Sequence, residues 1–600
     1  MTTAVCNTAV GRDALEANTG SNLVAVGFKA LEANTTGGQN TALGYTTLQV
    51  NTTGGSNTAV GYQVLVANTT ASSNTGVGDR VLVANTASSN TAVGCFAMQA
   101  NTTGTANVAL GLNALNDNTT GDGNTAVGSG ALDLNTTANN NTAVGRNALG
   151  ANTTGAQNVA VGQGALVANT TGDTNTAVGT DALSANTTAD ANTAVGKSAM
   201  AACTTGSKTT AIGFGAFANM TTGGNSVAVG WEAGSAMTTG LYNVFVGYEC
   251  GHDITTGQFN TALGYQALDT IQTVGETTAI GAYALTALTN SGIYNTALGY
   301  KAGSACTDGT RNIFIGWEAG MNATTPNRCT VIGQNAAQGV LTGDDNVFIG
   351  REAGYNMTSG ERNTSLGNYA LMSATTPNDN TAIGFQAGKA ITTGYANTFV
   401  GEDSGLVATT AHNNVCIGYD AGEALTTGGE NILIGFQSGL TLTTADHSVV
   451  IGAGMDIGNT SNKVAIYNGT VNANFSGSAS SWTFTSDGRD KTDIVDLDLG
   501  LDFIKKIQPR KFKWDFRDEK RASSWGNGLT KAGFIAQELQ VVLSETNATY
   551  TGIVDETDPD NLTVGQTDFI PMLINAVKEL SAKNDELAAE IASLKSQINN

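Results

Sequence analysis

Asn40-Thr41-Ala42-Leu43-Gly44-Tyr45-Thr46-Thr47-Leu48-Gln49-Val50-Asn51-Thr52-Thr53-Gly54 decides the fold, because the chain goes on repeating it. The idealised unit is N-T-A-V-G-x-x-A-L-x-A-N-T-T-G-x-x. A glycine preceded by Ala-Val, Ala-Leu, Ala-Ile or a close variant recurs 27 times between Gly11 and Gly452, nearly always 17 residues apart. Only three intervals slip: Gly11 to Gly27 and Gly78 to Gly94 are 16, and Gly281 to Gly299 is 18. Self-similarity at such a period marks a stacked-repeat architecture. Four strand-compatible residues lead into one glycine, and a second glycine closes a Thr-Thr segment, which is strand and turn punctuation.

Seventeen residues cannot bury a core alone. Stacked, they place Val on Val and Asn on Asn, so side-chain amides are satisfied between coils. The expected fold is mainly β: a parallel β-solenoid with one coil per repeat, about 130 Å long at the usual inter-strand spacing. Alternation gives each strand a β-branched face and a small-residue face, and both are expected to be buried. The reading favours coils made wholly of strand. A helical turn over x-x-A-L-x-A-N, ended by a left-handed asparagine, is the alternative. An interior of mostly Ala and Val is thin, so three chains about one axis bury far more apolar surface than one, and the small-residue strand face suits that approach. The first repeat begins near Asn7, so the open N-terminal coil is expected to dock on another protein, or the chain to be the distal segment of a longer appendage.

Composition narrows the function. The chain has 76 Gly, 5 Pro, 13% charged residues and a net charge of -22. An acidic chain without a basic patch is a poor partner for nucleic acid. No long apolar run and no secretory leader are present, so membrane insertion is not expected. The seven cysteines are scattered without a Cys-x-x-Cys pair, which fits small buried hydrophobes rather than disulfides or zinc. Neither a metal nor another cofactor is expected. His252, His412 and His447 lie far apart, and Asp344-Asp345-Asn346 lacks the ligand spacing of a calcium loop. The Asn-Thr-Thr triplets at Asn34, Asn51, Asn101, Asn118, Asn135 and Asn152 read as ladder and turn residues.

The residue after the repeat glycine is often aromatic in mid-chain: Trp231, Tyr248, Tyr265, Tyr300 and Trp317. Such a column is a candidate contact for a host-surface glycan or protein receptor, and packing on the neighbouring coil is the plainer reading. Glu232, Glu318 and Glu352 share one offset and read as a surface ladder rather than a glycosidase pair.

After residue 455 the period stops. A β bridge over 456–485 contains Lys463-Val464-Ala465-Ile466-Tyr467 and Ser481-Trp482-Thr483-Phe484-Thr485. The last 115 residues then carry 34 of the 76 charged side chains, which marks a separate small α+β domain over 486–569 and a tail over 570–600. In the tail Ile570, Leu573, Val577, Leu580, Asn584, Leu587, Ile591, Leu594 and Ile598 alternate spacings of three and four, the pattern of a coiled coil, with Asn584 as a register device.

Ser486-Asp487-Gly488-Arg489-Asp490-Lys491, Pro509-Arg510-Lys511-Phe512-Lys513-Trp514 and Gly533-Phe534-Ile535-Ala536-Gln537-Glu538-Leu539 follow in order before this tail. Together they resemble the endosialidase-type intramolecular chaperone found at the end of many phage tail fibres and tailspikes. The repeats also resemble, in motif but not in period, the coils of trimeric autotransporter adhesin heads, as in Asn225-Ser226-Val227-Ala228-Val229-Gly230. The first resemblance implies a homotrimer that cuts itself between Thr485 and Ser486. Ser486 would be the nucleophile, Lys491 the base, and Asp487, Arg489 and Glu538 supporting groups. A serine hydroxyl can reach the preceding carbonyl, and a lysine of lowered pKa can serve as its base.

The expected function is a structural and adhesive fibre of a viral particle, made in the host cytoplasm, which trimerises, matures by one self-cleavage and mediates host attachment. No external substrate is expected, and the N-terminal docking partner would be another fibre or virion protein. The rivals are a polysaccharide-degrading tailspike and a non-viral trimeric adhesin or ice-binding solenoid.

Overall fold

The computed structural model describes residues 4–270, 272–273, 275–289, 291–467, 472–476, 483–484, 491–513, 530–556 and 562–599. The chain divides into two compact units, Met1–Thr485 and Ser486–Asn600.

The first unit is a parallel β-solenoid. Its strands run from β1 (Thr8–Val10) to β27 (Val449–Ile451), one per coil, and each has three residues except β4 (Thr58–Tyr62) and β5 (Thr75–Asp79), with five. Neighbours pair in register, like residue on like residue: Thr41 on Thr58, Ala42 on Ala59, Leu43 on Val60. The stack closes with β28 (Lys463–Tyr467), parallel to β27, followed by β29 (Asn472–Ser476) and β30 (Thr483–Phe484), which pair antiparallel.

The coils are not wholly strand. Outside the three-residue strand each coil is a run of tight turns, and no helix forms. The left-handed residues are not the asparagines of the Asn-Thr step but the second and fourth after the glycine, as in Thr46 (φ 51°) and Leu48 (φ 51°), and the one two before the strand, as in Gln39 (φ 64°). Such conformations cost of order 1–3 kcal/mol each, so something must hold them. Hydrogen bonds to the next coil do: Leu31 N–H donates to the Thr47 carbonyl (3.1 Å), Ala33 N–H to Gln49 (3.0 Å) and Thr35 N–H to Thr52 (2.8 Å). The inter-coil ladder therefore continues through the turns, where sequence periodicity shows no strand. The repeat glycine is required by its φ, 136° at Gly44, and by the next coil, because a Cβ there would collide with the carbonyl of Gly61.

Strand polarity corrects the sequence reading. From β2 to β27 the second residue of each strand, usually Ala, points into the coil and is buried, while the flanking residues, such as Thr and Val, point out and stay partly exposed. The small-residue face is thus interior and unavailable to another chain. The inward Ala and the Leu three residues before the Asn-Thr step, such as Ala42 and Leu48, lie fully buried in one core cluster. Ala and Leu, rather than Ala and Val, fill the interior.

Two columns of buried asparagine line that interior. Asn51 Nδ2 donates to Asn34 Oδ1 (2.8 Å) and to the Gly54 carbonyl (2.9 Å), and Asn68 repeats the pattern on Asn51 (3.0 Å). In the other column Asn57 N–H donates to Asn40 Oδ1 (2.9 Å) and Asn57 Nδ2 to the Ala71 carbonyl (3.0 Å). The Asn-Thr-Thr asparagines are fully buried, as ladder residues must be. Two exceptions have a cause. Asn186 Oδ1 has no donor because the next coil carries Cys203 at that place, and Asn68 Oδ1 lacks one where the 16-residue coil shifts Asn85. From Cys203 onward the column becomes apolar, through Met220, Met237 and Ile254.

A volume exchange accompanies that change. Phe245, Phe314, Phe348 and Phe399 replace Ala at the inward strand position and are fully buried. Their own coils then carry glycine where Leu otherwise stands. A Cβ on Gly251 would lie 2.8 Å from Phe245 Cδ1, and one on Gly234, a coil earlier, 2.8 Å from Phe245 Cδ2. Each phenylalanine thus needs holes in neighbouring coils. We expect Gly251→Leu and Phe245→Ala each to lower the thermal midpoint of the rod, by overpacking and by a cavity respectively. The pair combined restores an Ala/Leu coil and should recover part of the loss, with a coupling of about 1–3 kcal/mol in a double-mutant cycle. Simple additivity in melting experiments would refute the exchange.

Five of the seven cysteines, Cys203, Cys250, Cys306, Cys329 and Cys416, are buried as expected, whereas Cys6 is exposed and Cys95 half-buried. Burial pushes the Cys203 thiol up to about 11 and that of Cys250 up to about 12. In native protein at pH 8, an aromatic disulfide reagent should therefore titrate Cys6 quickly and Cys95 slowly. The other five should react only on denaturation.

Candidate functional site

The second unit is built from short elements around a small apolar core. α1 (Leu501–Lys506) buries Phe503, and α2 (Ala536–Glu545) buries Ala536, Leu539 and Leu543 at helical spacing. Between them, β31 (Arg510–Lys513) and β32 (Thr530–Gly533) pair antiparallel, Arg510 opposite Gly533. Val554–Asp555 (β33) and Thr563–Val564 (β34) form a second, two-residue pairing. Phe534 packs on Phe569 with ring centroids 4.8 Å apart.

The chain ends in α3 (Ile570–Ile598), one helix of 29 residues with Pro571 in its first turn. Its two faces differ. Met572 and Ala576 are buried, Asn575 Nδ2 donates to the carbonyls of Leu497 (2.9 Å) and Leu499 (3.2 Å), and Glu579 Oε2 accepts from Leu501 N–H (2.8 Å). These residues fix the helix to the unit. The heptad positions lie on another face and remain open: Leu573 is 46% exposed, Val577 65% and Ile591 51%. The helix thus carries an exposed apolar stripe along this face.

Sequence motifs far apart in the chain meet at β31 and α2. Glu538, in the first turn of α2, takes both guanidinium bonds of Arg510, Nε to Oε2 at 2.8 Å and Nη2 to Oε1 at 2.9 Å. Both side chains are about half exposed, so the pair orients more than it stabilises. It edges a groove of about 300 Å³ lined by Lys506, Ile507, Arg510, Glu538, Leu539 and Val542. Arg510 was not singled out from the sequence, although it lies in a quoted motif. Only the β31–β32 pairing shows which motif residue it answers. Lys491 is described and exposed. Thr485, Ser486, Asp487 and Arg489 lie outside the described residues.

On the rod, the aromatic residues form ladders. Tyr248 stacks on Tyr265 (5.2 Å, 7°), Tyr300 on Trp317 (6.2 Å, 17°), and Trp231 on Phe214 (4.2 Å, 16°). Tyr248, Tyr265, Tyr300, Trp317 and Trp231 are 38–47% exposed. Stacking along the rod covers ring faces and leaves edges and polar tips in water. Glu232, Glu318 and Glu352 share a left-handed position, with φ of 51°, 54° and 54°. Each has a local partner: His252 lies 3.9 Å from Glu232, Gln338 donates to Glu318 (3.1 Å), and Arg351 pairs with Glu352 (3.1 Å). Near His252, burial pushes the Asp269 carboxyl up to about 6, against the opposing pull of the imidazole.

Among the described residues, no group of three or more His, Cys, Asp or Glu side chains is placed to hold a metal ion. No helix among them is long and apolar enough to cross a membrane. No curated protein and no solved structure matches the chain. One family model does match, that of the chaperone of endosialidase, over residues 486–547, about a tenth of the chain. The solenoid therefore ends in a segment similar to a known chaperone. That segment holds the Ser486–Lys491 stretch, the Arg510–Glu538 pair and the start of the apolar core beneath α3.

Proposed function

We propose that this chain is a trimeric fibre of a viral particle. In this reading the C-terminal unit gathers three copies, aligns them while their rods wind, and then releases itself by one cut between Thr485 and Ser486. The observation that carries the reading is the covalent order: a 27-coil solenoid followed directly by a match to the chaperone of endosialidase. The open seam of α3 supports it, since a partner helix is what such a seam lacks.

The cut requires only groups of this chain and water. Ser486 Oγ, losing its proton to Lys491, adds to the Thr485 carbonyl carbon. The C–N bond breaks, the Ser486 nitrogen takes up a proton, and an ester links the two pieces. Water hydrolyses that ester, leaving a carboxylate on Thr485 and a free amine on Ser486. Glu538, held by Arg510, and the acidic and basic side chains Asp487 and Arg489 support the site in this proposal. Host attachment is assigned to the exposed aromatic ladders, whose edges and hydroxyls offer polar and apolar contact to a glycan or protein.

Full-length wild-type chain should yield a released fragment of about 13 kDa, given about 110 Da for an average residue. Ser486→Ala should leave a single full-length band, and Lys491→Ala should slow the release by at least about 100-fold if the lysine is the base. Identical band patterns for wild type and Ser486→Ala would sink the cleavage. Sedimentation of the Ser486→Ala chain then separates the two claims, because alignment in threes does not depend on the cut.

A further inference from the structure

The inward turn of the Ala face leaves the other strand face outside, and its composition is uniform. Across β1–β27 the first position is Thr, Val or Ile and the third is Val, Leu or Ile, without one exception and without one charge. The third position is also wet: Leu43 is 44% exposed, Leu110 47%, Leu263 44%, Leu298 45% and Leu366 45%. Columns elsewhere on the rod carry charges, as where Arg328 pairs with Asp345 (2.6 Å) and Arg362 with Asp379 (2.7 Å). Exposed aliphatic residues scattered over a surface need no explanation; a column held to Val, Leu or Ile through 27 coils, beside one held to Thr, Val or Ile, does.

The dimensions say what covers them. At about 4.8 Å per coil and roughly 10 Å of width, the stripe amounts to about 1,300 Å² per chain. A stable interface buries about 800 Å² per partner, and the largest apolar patch of an ordinary monomer is about 300–600 Å². A compact partner would cover a few coils and leave the rest in water. An occupant that is apolar along the whole length, at the same coil spacing, is a parallel copy of this chain. The same chain ends in the open seam of α3, which also calls for another copy. In-register columns rich in β-branched Thr, Val and Ile pack face to face with little side-chain rearrangement, since most of their rotamers are already restricted.

We propose that the outward strand face of β1–β27, its first and third positions, is the surface by which parallel copies of this chain pack on one another along the rod. This rests on the reading that the C-terminal unit assembles the chain, and it names the contact that reading leaves open.

The test uses full-length chain in which Cys6 and Cys95 are serine. One cysteine is added on the stripe, Leu263→Cys or Ile383→Cys, or on the exposed glycine-following column, Gln163→Cys. A short bifunctional maleimide is then applied and products are read on a denaturing gel, with sedimentation mass measured in parallel. The stripe variants should give at least about tenfold more cross-linked chain than Gln163→Cys, in a particle of multimeric mass. A multimer in which stripe and control positions cross-link equally overturns this surface but not the assembly. A chain that sediments as a monomer overturns both, and thermal hysteresis in that monomer would identify the stripe as an ice-binding face instead. Two stripe positions in separate coils guard against one variant that misfolds, and a melting curve matching the control qualifies each.

Discussion

A buried primary amide must find partners for two hydrogens and a carbonyl oxygen, and in this solenoid its own turn supplies one while the neighbouring coils supply the rest. That requirement organises the first unit. Asn51 bonds back to Asn34 and across to the Gly54 carbonyl, so neither residue is satisfied in an isolated coil. Leaving such a group unpaired costs roughly 1–3 kcal/mol, which makes stacking in register far better than any displaced contact. The two broken places show the rule at work, since an oxygen is orphaned at Asn186 where the column changes and at Asn68 where a coil is one residue short. The left-handed Leu and the close-packed glycines are tolerated because this stacking holds the backbone where it is.

Much of this is legible in the sequence, and what is not has a physical reason. Period, strand position, parallel register and the asparagine ladders follow from the spacing of Asn, Thr and Gly. The direction of the strand faces does not, because T-A-V alternates equally well with either face inward. Only the width of the coil, too narrow for two β-branched layers and wide enough for Ala against Leu, decides it. The turns were taken for strand because their hydrogen bonds run to the next coil, and side-chain alternation does not record those. Phe245 beside Gly251 could have been found by comparing coils for conserved volume rather than for conserved letters. In the C-terminal unit, motif order gives the likeness to the chaperone of endosialidase, while the answer of Arg510 to Glu538 needs the β31–β32 pairing.

The two surfaces of the strand divide two tasks. Inside, volume varies from coil to coil from Phe217 onward, and a phenylalanine fits only where glycines flank it. Displacing one coil in that half sets Phe against Leu and is penalised at once. Between Ala109 and Leu183 the coils repeat the same Ala, Leu and Asn interior, and a looped-out coil would leave an almost unchanged stack. Winding errors are therefore cheap in the first part of the rod and costly in the second.

The outer stripe has no such code. Thr, Val, Leu and Ile alternate there without charge, so two copies shifted by one coil would lose little contact. If copies pack through that face, their stagger has to be set by something other than the rod. The heptad seam of α3 is better suited, because Asn584 interrupts its apolar positions and discriminates between registers that an all-aliphatic seam would confuse. A rod that is exact within a chain and indifferent between chains needs an aligning device at one end. Once the coils have wound and buried their amides, that device no longer contributes to holding them, so its release afterwards is compatible with a lasting fibre.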